Sequence, residues 1–163
     1  MVEIAPNFSP SASSGGPLGG DPRTLAGVGP APVGASLSRV LVVDDEATIR
    51  NVVAKILGKS GYATEVFEKG SDLLHSLRRQ PADLVITDVF MPDTDGMQLL
   101  LELRKQAHRP KVIVMTGGNA YWASSLVAAK QLGAVATLMK PFSAAELLSA
   151  VNIALARPGG AAS

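Results

Sequence analysis

The chain has 163 residues, 47 % hydrophobic, with a formal net charge of +1; this suffices for one domain with a sizeable core and, with no Lys/Arg stripe, leaves no electrostatic footprint for nucleic acid. The absence of cysteine excludes disulfides and thiolate metal sites and fits a reducing compartment. No run approaches the ~20 apolar residues of a membrane span, and the N-terminus lacks the order of a signal peptide, so the expectation is a cytoplasmic protein without membrane insertion.

Residues 1–38 differ from the rest: six prolines, seven glycines and six serines fall there, with almost no charge and Phe8 as the sole aromatic. Such a composition buries too little to offset the entropy of ordering, and it is expected to be a disordered N-terminal segment. The compact domain is expected over 39–157, followed by a flexible tail at 158–163. It opens on Arg39-Val40-Leu41-Val42-Val43, a buried-strand pattern ending at Asp44-Asp45. The next stretch, 46–59, carries Ile49, Val52, Val53, Ile56 and Leu57 at helical spacing, and Gly61 ends it. Ala63–Phe67 reads as a shorter, more polar strand nearer the sheet edge. A helix over 71–79 turns Leu73, Leu74 and Leu77 inward before Pro81.

Leu84-Val85-Ile86-Thr87-Asp88-Val89 is an unbroken β-branched run of the kind covered on both faces. A loop, Phe90 to Gly96, follows, with Asp95 placed to cap a helix over 96–106 that buries Leu99, Leu100 and Leu103. Lys111–Thr116 is the next strand. Asn119 is placed to cap a weakly amphipathic Ala/Ser-rich helix over 120–131, expected to be the least firmly packed, and Gly133 ends it. Ala134–Met139 is the last strand and delivers Lys140. Ser143 caps a final helix carrying Leu147, Leu148, Val151 and Leu155.

This is β-α repeated five times. Short connections between parallel strands require right-handed helical crossovers on both faces of one sheet, which is a doubly wound α/β fold. In such a sheet the carboxyl ends of the strands meet at one edge, where ligands bind. Asp44, Asp45, Asp88, Thr116 and Lys140 are therefore expected together. Asp44-Asp45-Glu46 stands where a Gly-rich nucleotide loop would be, which disfavours the nucleotide-binding version of the fold.

Clustered carboxylates repel one another unless a cation joins them, and Mg²⁺ suits two carboxylates with waters and a phosphate oxygen. An aspartate beside a metal and a lysine is a possible nucleophile towards phosphorus. The lysine would neutralise phosphoryl oxygens, and the threonine could hydrogen-bond one of them.

Asp44-Asp45, Asp88 with Met91-Pro92 and Asp95-Gly96, Thr116-Gly117, and Lys140-Pro141-Phe142 together resemble the receiver domain of two-component response regulators. The resemblance covers about 39–156. It implies a flavodoxin-like (βα)5 sandwich with strand order 2-1-3-4-5. It also implies that Asp88 is phosphorylated from a sensor histidine kinase or histidine phosphotransfer protein, with Mg²⁺ as cofactor and Mn²⁺ able to substitute. Asp45 is then the direct metal ligand, Asp44 its partner partly through water, and Phe90 a backbone-carbonyl ligand with its ring over the mouth of the site. Thr116 moves towards the acyl phosphate and Lys140 pairs with it. The Lys140-Pro141 bond is implied to be cis, a conformation that costs only ~0.5–1 kcal/mol at proline. Catalysis is at most Mg²⁺-dependent self-phosphorylation from a phosphodonor and self-dephosphorylation.

Two features depart from the family pattern. The switch residue, commonly Tyr or Phe, is Thr137, and Tyr121 and Trp122 are the candidate substitutes for a switch or partner surface. Phe90 and Gly118 replace the polar residues that often flank the acyl phosphate. These 163 residues contain no output domain; if the chain is complete, the signal is expected to leave through a downstream protein, as in stand-alone receivers resembling the chemotaxis regulator, and if it is a fragment the order of domains is open. The alternatives are a protein-binding module with little phosphorylation-dependent switching, motivated by Thr137, and a Mg²⁺ phosphohydrolase on a similar sheet, for which the chain is too short to supply a cap.

Overall fold

The structure is a computed structural model that describes residues 37–91, 96–118 and 122–156, with only the backbone of Trp122. Residues 1–36, the Asp95 and Asn119 caps, Tyr121, the Trp122 side chain and the C-terminal residues from 157 lie outside the described residues. Five strands alternate with five helices: β1 (Arg39–Val43), α1 (Ala47–Lys59), β2 (Ala63–Phe67), α2 (Gly70–Arg79), β3 (Leu84–Asp88), α3 (Gly96–Arg104), β4 (Lys111–Gly117), α4 (Trp122–Gln131), β5 (Ala136–Lys140) and α5 (Ala144–Leu155). All pairings are parallel, in the order β2-β1-β3-β4-β5. The doubly wound five-stranded sheet expected from the sequence is the fold observed.

Alternation along the strands divides the core into two layers. Val40, Val42, Leu84, Ile86, Ile113 and Met115 face α1 and α5, where they meet Val53, Leu57, Leu147 and Val151. Leu41, Val43, Val85, Val112 and Val114 face the other way, towards Leu73 and Leu77 of α2, Leu99, Leu100 and Leu103 of α3, and Ala129 of α4. Strands β1 and β3 lie between paired neighbours and are buried throughout. Edge strand β2 is largely exposed, as its polar sequence predicts. Ala129 is the buried side chain of α4 among those described, so this helix is lightly anchored.

Helix ends follow local hydrogen bonding. Gly61 and Gly133 adopt φ of 85° and 101°, a region open to glycine at little steric cost. Each lets the next residue's N–H reach back into the helix: Tyr62 to Leu57 O, and Ala134 to Ala129 O. Ala134 is thereby committed to closing α4, and β5 starts at Ala136, not at Ala134. Helix α3 ends at Arg104, short of Gln106, because Lys105 and Gln106 bond to carbonyls three residues back. Ser143 forms a reciprocal capping box with Glu146. Val52, counted in the apolar stripe of α1, is 46 % exposed; the face that meets the sheet is narrower than five residues.

A buried arginine ties the opposite end of β1 in place. Arg39 donates to Glu65 Oε1 at 2.8 Å, to Ser76 Oγ at 2.7 Å, and to the carbonyls of Gln80 and Pro81. It therefore links β1, β2 and the end of α2.

Candidate functional site

Strands β1, β3 and β5 bring Asp44, Asp88 and Lys140 to the carboxyl edge of the sheet. Asp44 lies one residue beyond the end of β1 and is fully buried; Asp88 is the last residue of β3 and is also buried. The Lys140 side chain is 11 % exposed, and its Nζ lies 2.6 Å from Asp44 Oδ2, 2.7 Å from Asp88 Oδ2 and 3.3 Å from Glu46 Oε1. The Lys140-Pro141 peptide is cis.

The same local device orients both aspartates. Asp44 Oδ1 accepts the N–H of Glu46 at 2.8 Å, and Asp88 Oδ1 accepts the N–H of Phe90 at 2.9 Å. Each carboxylate thus closes a turn on the backbone two residues ahead, and its second oxygen is left for the lysine. At Asp44 Oδ2 the contact with Lys140 is ionic but off the hydrogen-bond axis, so this buried oxygen has no aligned donor.

Burial pushes Asp44 above the ordinary carboxylate range, against the lowering effects of Lys140 and the Glu46 N–H. For Lys140, burial works against the charge, but the carboxylates of Asp44 and Asp88 outweigh it and hold the ammonium well above the ordinary lysine value. The lysine is charged at neutral pH.

The carboxylates of Asp44, Glu46 and Asp88 lie within 4.8 Å of one another. With all three ionised, three negative charges face one ammonium, leaving two uncompensated. An all-oxygen donor set, net negative and with one buried oxygen lacking an aligned donor, fits a hard divalent cation. These residues can chelate such an ion.

Asp45 is exposed and outside that trio. It lines the mouth of a cleft of about 430 Å³ together with Glu46, Asp88, Phe90, Gly117, Gly118 and Lys140. Phe90 is 44 % exposed at this mouth. Thr116 is buried, with its hydroxyl donating to the Gly117 carbonyl at 3.2 Å, and is not among the residues that line the cleft. Thr137 is half-buried in edge strand β5, in register with Val114.

Three contributors had not been assigned to the site from the sequence. Glu46, taken only as the start of α1, is the third carboxylate around Lys140. The run of three acids carried that signal, but the direction of each side chain is set by the turn at Asp44. Arg50 donates to the main-chain carbonyls of Asp44 and Asp45. Gly96 lies so close to β3 that a Cβ there would strike the Asp88 carbonyl oxygen and come within 2.8 Å of Val89 Cα.

Residues 40–152 match the response regulator receiver domain family. The chain is 34 % identical over 119 residues to the DNA-binding transcriptional regulator NtrC of Rhizobium meliloti, across 73 % of this chain and 24 % of that protein. It thus spans about a quarter of the length of that relative. Among solved structures, NtrX from Brucella abortus superposes with a TM-score of 0.69 at 31 % identity, over 74 % of this chain and 27 % of that one. The chemotaxis response regulator CheY4 of Vibrio cholerae superposes with a TM-score of 0.67 at 27 % identity, over 74 % of this chain and its own full length.

Proposed function

The chain belongs to the response regulator receiver domain family, and from that premise we propose that it is a phosphorylation-dependent signalling protein of a two-component system. Asp88 accepts a phosphoryl group from a phosphohistidine of a sensor histidine kinase or histidine phosphotransfer protein. The acyl phosphate then alters contacts with a downstream protein. The observation that carries this reading is the Lys140 ammonium held between Asp44 Oδ2 and Asp88 Oδ2 at the mouth of a cleft.

In this reading Asp88 is the nucleophile. Its carboxylate is oriented by the Phe90 N–H on Oδ1 and by Lys140 on Oδ2. A bond forms from a carboxylate oxygen to phosphorus while the phosphorus–nitrogen bond of the donor breaks. The electron pair stays on the imidazole, which leaves neutral when its ring is protonated. Lys140, already charged, remains to pair with the new phosphoryl oxygens. Thr116 would exchange its long bond to the Gly117 carbonyl for one of those oxygens. Asp45, Asp88 and the Phe90 carbonyl are the groups that would hold Mg²⁺, with Asp44 beside them and Glu46 as a further oxygen donor. When bound, that ion supplies positive charge against the transferring phosphoryl group. Phe90 shields the cleft on one side and Gly118 leaves the other open.

Incubation with Mg²⁺ and phosphoramidate, whose P–N bond imitates phosphohistidine, tests the proposal by intact mass. The parent should gain one phosphoryl group, about 80 Da, and Asp88→Ala none. Equal gain in both proteins, or none in the folded parent, would contradict it. A second reading, a binding module with little switching, is favoured by Thr137, whose small side chain cannot make the large ring movement of an aromatic. It predicts partner binding that neither acyl phosphate nor Asp88→Ala changes.

A further inference from the structure

Arg50 is a cation placed at the rear of an acidic loop, and nothing in the phosphoryl-transfer chemistry uses it. It sits in the second turn of α1 with its side chain 15 % exposed. One guanidinium nitrogen donates to the Asp44 carbonyl at 2.6 Å and to the Asp45 carbonyl at 2.9 Å. The other faces Glu68, beyond β2, at 3.8 Å, a weak contact with an exposed carboxylate. Among the described residues no backbone N–H donates to either carbonyl, because β1 has ended at Val43 and the helical bonding of α1 begins with Arg50 N–H to Glu46 O. The first two main-chain acceptors of the loop that carries all three consecutive acids therefore depend on this one side chain among the described residues.

The other restraints on the loop converge on the same residue. The Asp44 N–H is bonded to Phe67 O at 3.3 Å, and its Oδ1 accepts the Glu46 N–H. With its carbonyl held by Arg50, Asp44 is fixed at three points, and its remaining oxygen, Oδ2, is directed at the site. Both bonds leave one terminal nitrogen, whose two N–H groups have fixed directions in the guanidinium plane; a lysine ammonium can also donate twice, but from a shorter stem and without that fixed geometry.

We propose that Arg50 is a positioning residue for the metal site: it clamps the Asp44 and Asp45 carbonyls and so holds the acidic loop in its cation-collecting geometry. This rests on the metal reading given above. The proposal has a sign that separates it from a simple charge effect. Removing a nearby positive charge should by electrostatics alone tighten binding of Mg²⁺. Loss of the clamp should weaken it, because supports behind metal ligands are typically worth 10–100-fold in affinity.

Mg²⁺ affinity of the full chain, measured by calorimetry at fixed ionic strength, decides between them for the parent, Arg50→Met and Arg50→Lys. Both variants should bind Mg²⁺ more weakly, Arg50→Met by about tenfold or more and Arg50→Lys by less. The amide signal of Glu46 should also shift in the metal-free ¹H–¹⁵N spectrum of each. Unchanged or tighter binding by a folded variant, or a Glu46 amide that stays in place, would overturn the clamp. If Arg50→Met does not fold, Arg50→Lys carries the decision: parent-like affinity refutes the proposal. Failure of the parent itself to bind Mg²⁺ would remove the metal reading, and the clamp with it.

Discussion

The Lys140 ammonium lies 2.6 Å from a fully buried oxygen of Asp44, although the two residues come from opposite ends of the domain sequence. A buried carboxylate that loses the cation paired with it is left uncompensated, and breaking such a pair typically costs about 3–5 kcal/mol. Lys140→Met should therefore destabilise the metal-free protein by about 3 kcal/mol in urea unfolding. Because burial already raises Asp44 above its ordinary 3.8, the variant should raise it further. A raised carboxyl contributes its stability below the unfolded value and loses it as pH rises through the folded one. The deficit against the parent should thus be smallest in acid and grow towards neutral pH, and Mg²⁺ should recover part of it.

Gly96 should tolerate no side chain. Its Cα faces the Asp88 carbonyl, and its N–H donates to Val89 O at 3.0 Å, so an added methyl meets backbone that cannot rotate away. Gly96→Ala is expected to cost about 1–3 kcal/mol by overpacking and, in the folded fraction, to slow phosphoryl uptake because Asp88 is displaced. Denaturant titration and time-resolved intact mass read the two effects separately.

The Arg39 network offers a control at the far end of the sheet. Arg39→Leu leaves the Gln80 and Pro81 carbonyls and the Ser76 hydroxyl without their donor. The expected loss is about 1 kcal/mol for each hydrogen bond removed, because water can reach these half-exposed acceptors, with phosphoryl uptake per folded molecule unchanged. A selective loss of uptake would mean that the two ends of β1 are coupled.

Ser143→Ala should lower stability by about 1 kcal/mol through loss of the α5 cap. The Ser143 N–H and hydroxyl hold Glu146 below its ordinary 4.5. A lowered carboxyl contributes stability above its unfolded value and loses it as pH falls through the folded one. The difference between parent and variant should therefore shrink only below about pH 4.5, which thermal melts across the acid range would show.

Much of this was legible because the strands are written as uninterrupted apolar runs with polar ends. That pattern places Asp88 and Lys140 at one edge without knowledge of any contact, and β2 at the sheet margin by its polarity. What stayed hidden depends on directions that spacing does not encode. Which of Asp44, Asp45 and Glu46 faces Lys140 follows from the turn closed by the Glu46 N–H. Arg50 and Arg39 act through main-chain carbonyls, which carry no residue identity. Val52 fits a helical stripe yet faces solvent, because periodicity marks a face but not its width. The direction of the Thr116 hydroxyl, which donates to the Gly117 carbonyl, is likewise a rotamer that spacing does not encode.

The central claim is that Asp88, among the acids crowded at this edge, takes the phosphoryl group. Borohydride reduces an acyl phosphate, but not a free carboxylate, to the alcohol. Phosphorylation in Mg²⁺, reduction and peptide mass mapping therefore mark the acceptor permanently. The mark should fall on Asp88 alone and disappear when Mg²⁺ is chelated beforehand. A mark on Asp44, Asp45 or Glu46, or an Asp88 mark that forms equally well without a divalent ion, would contradict the account.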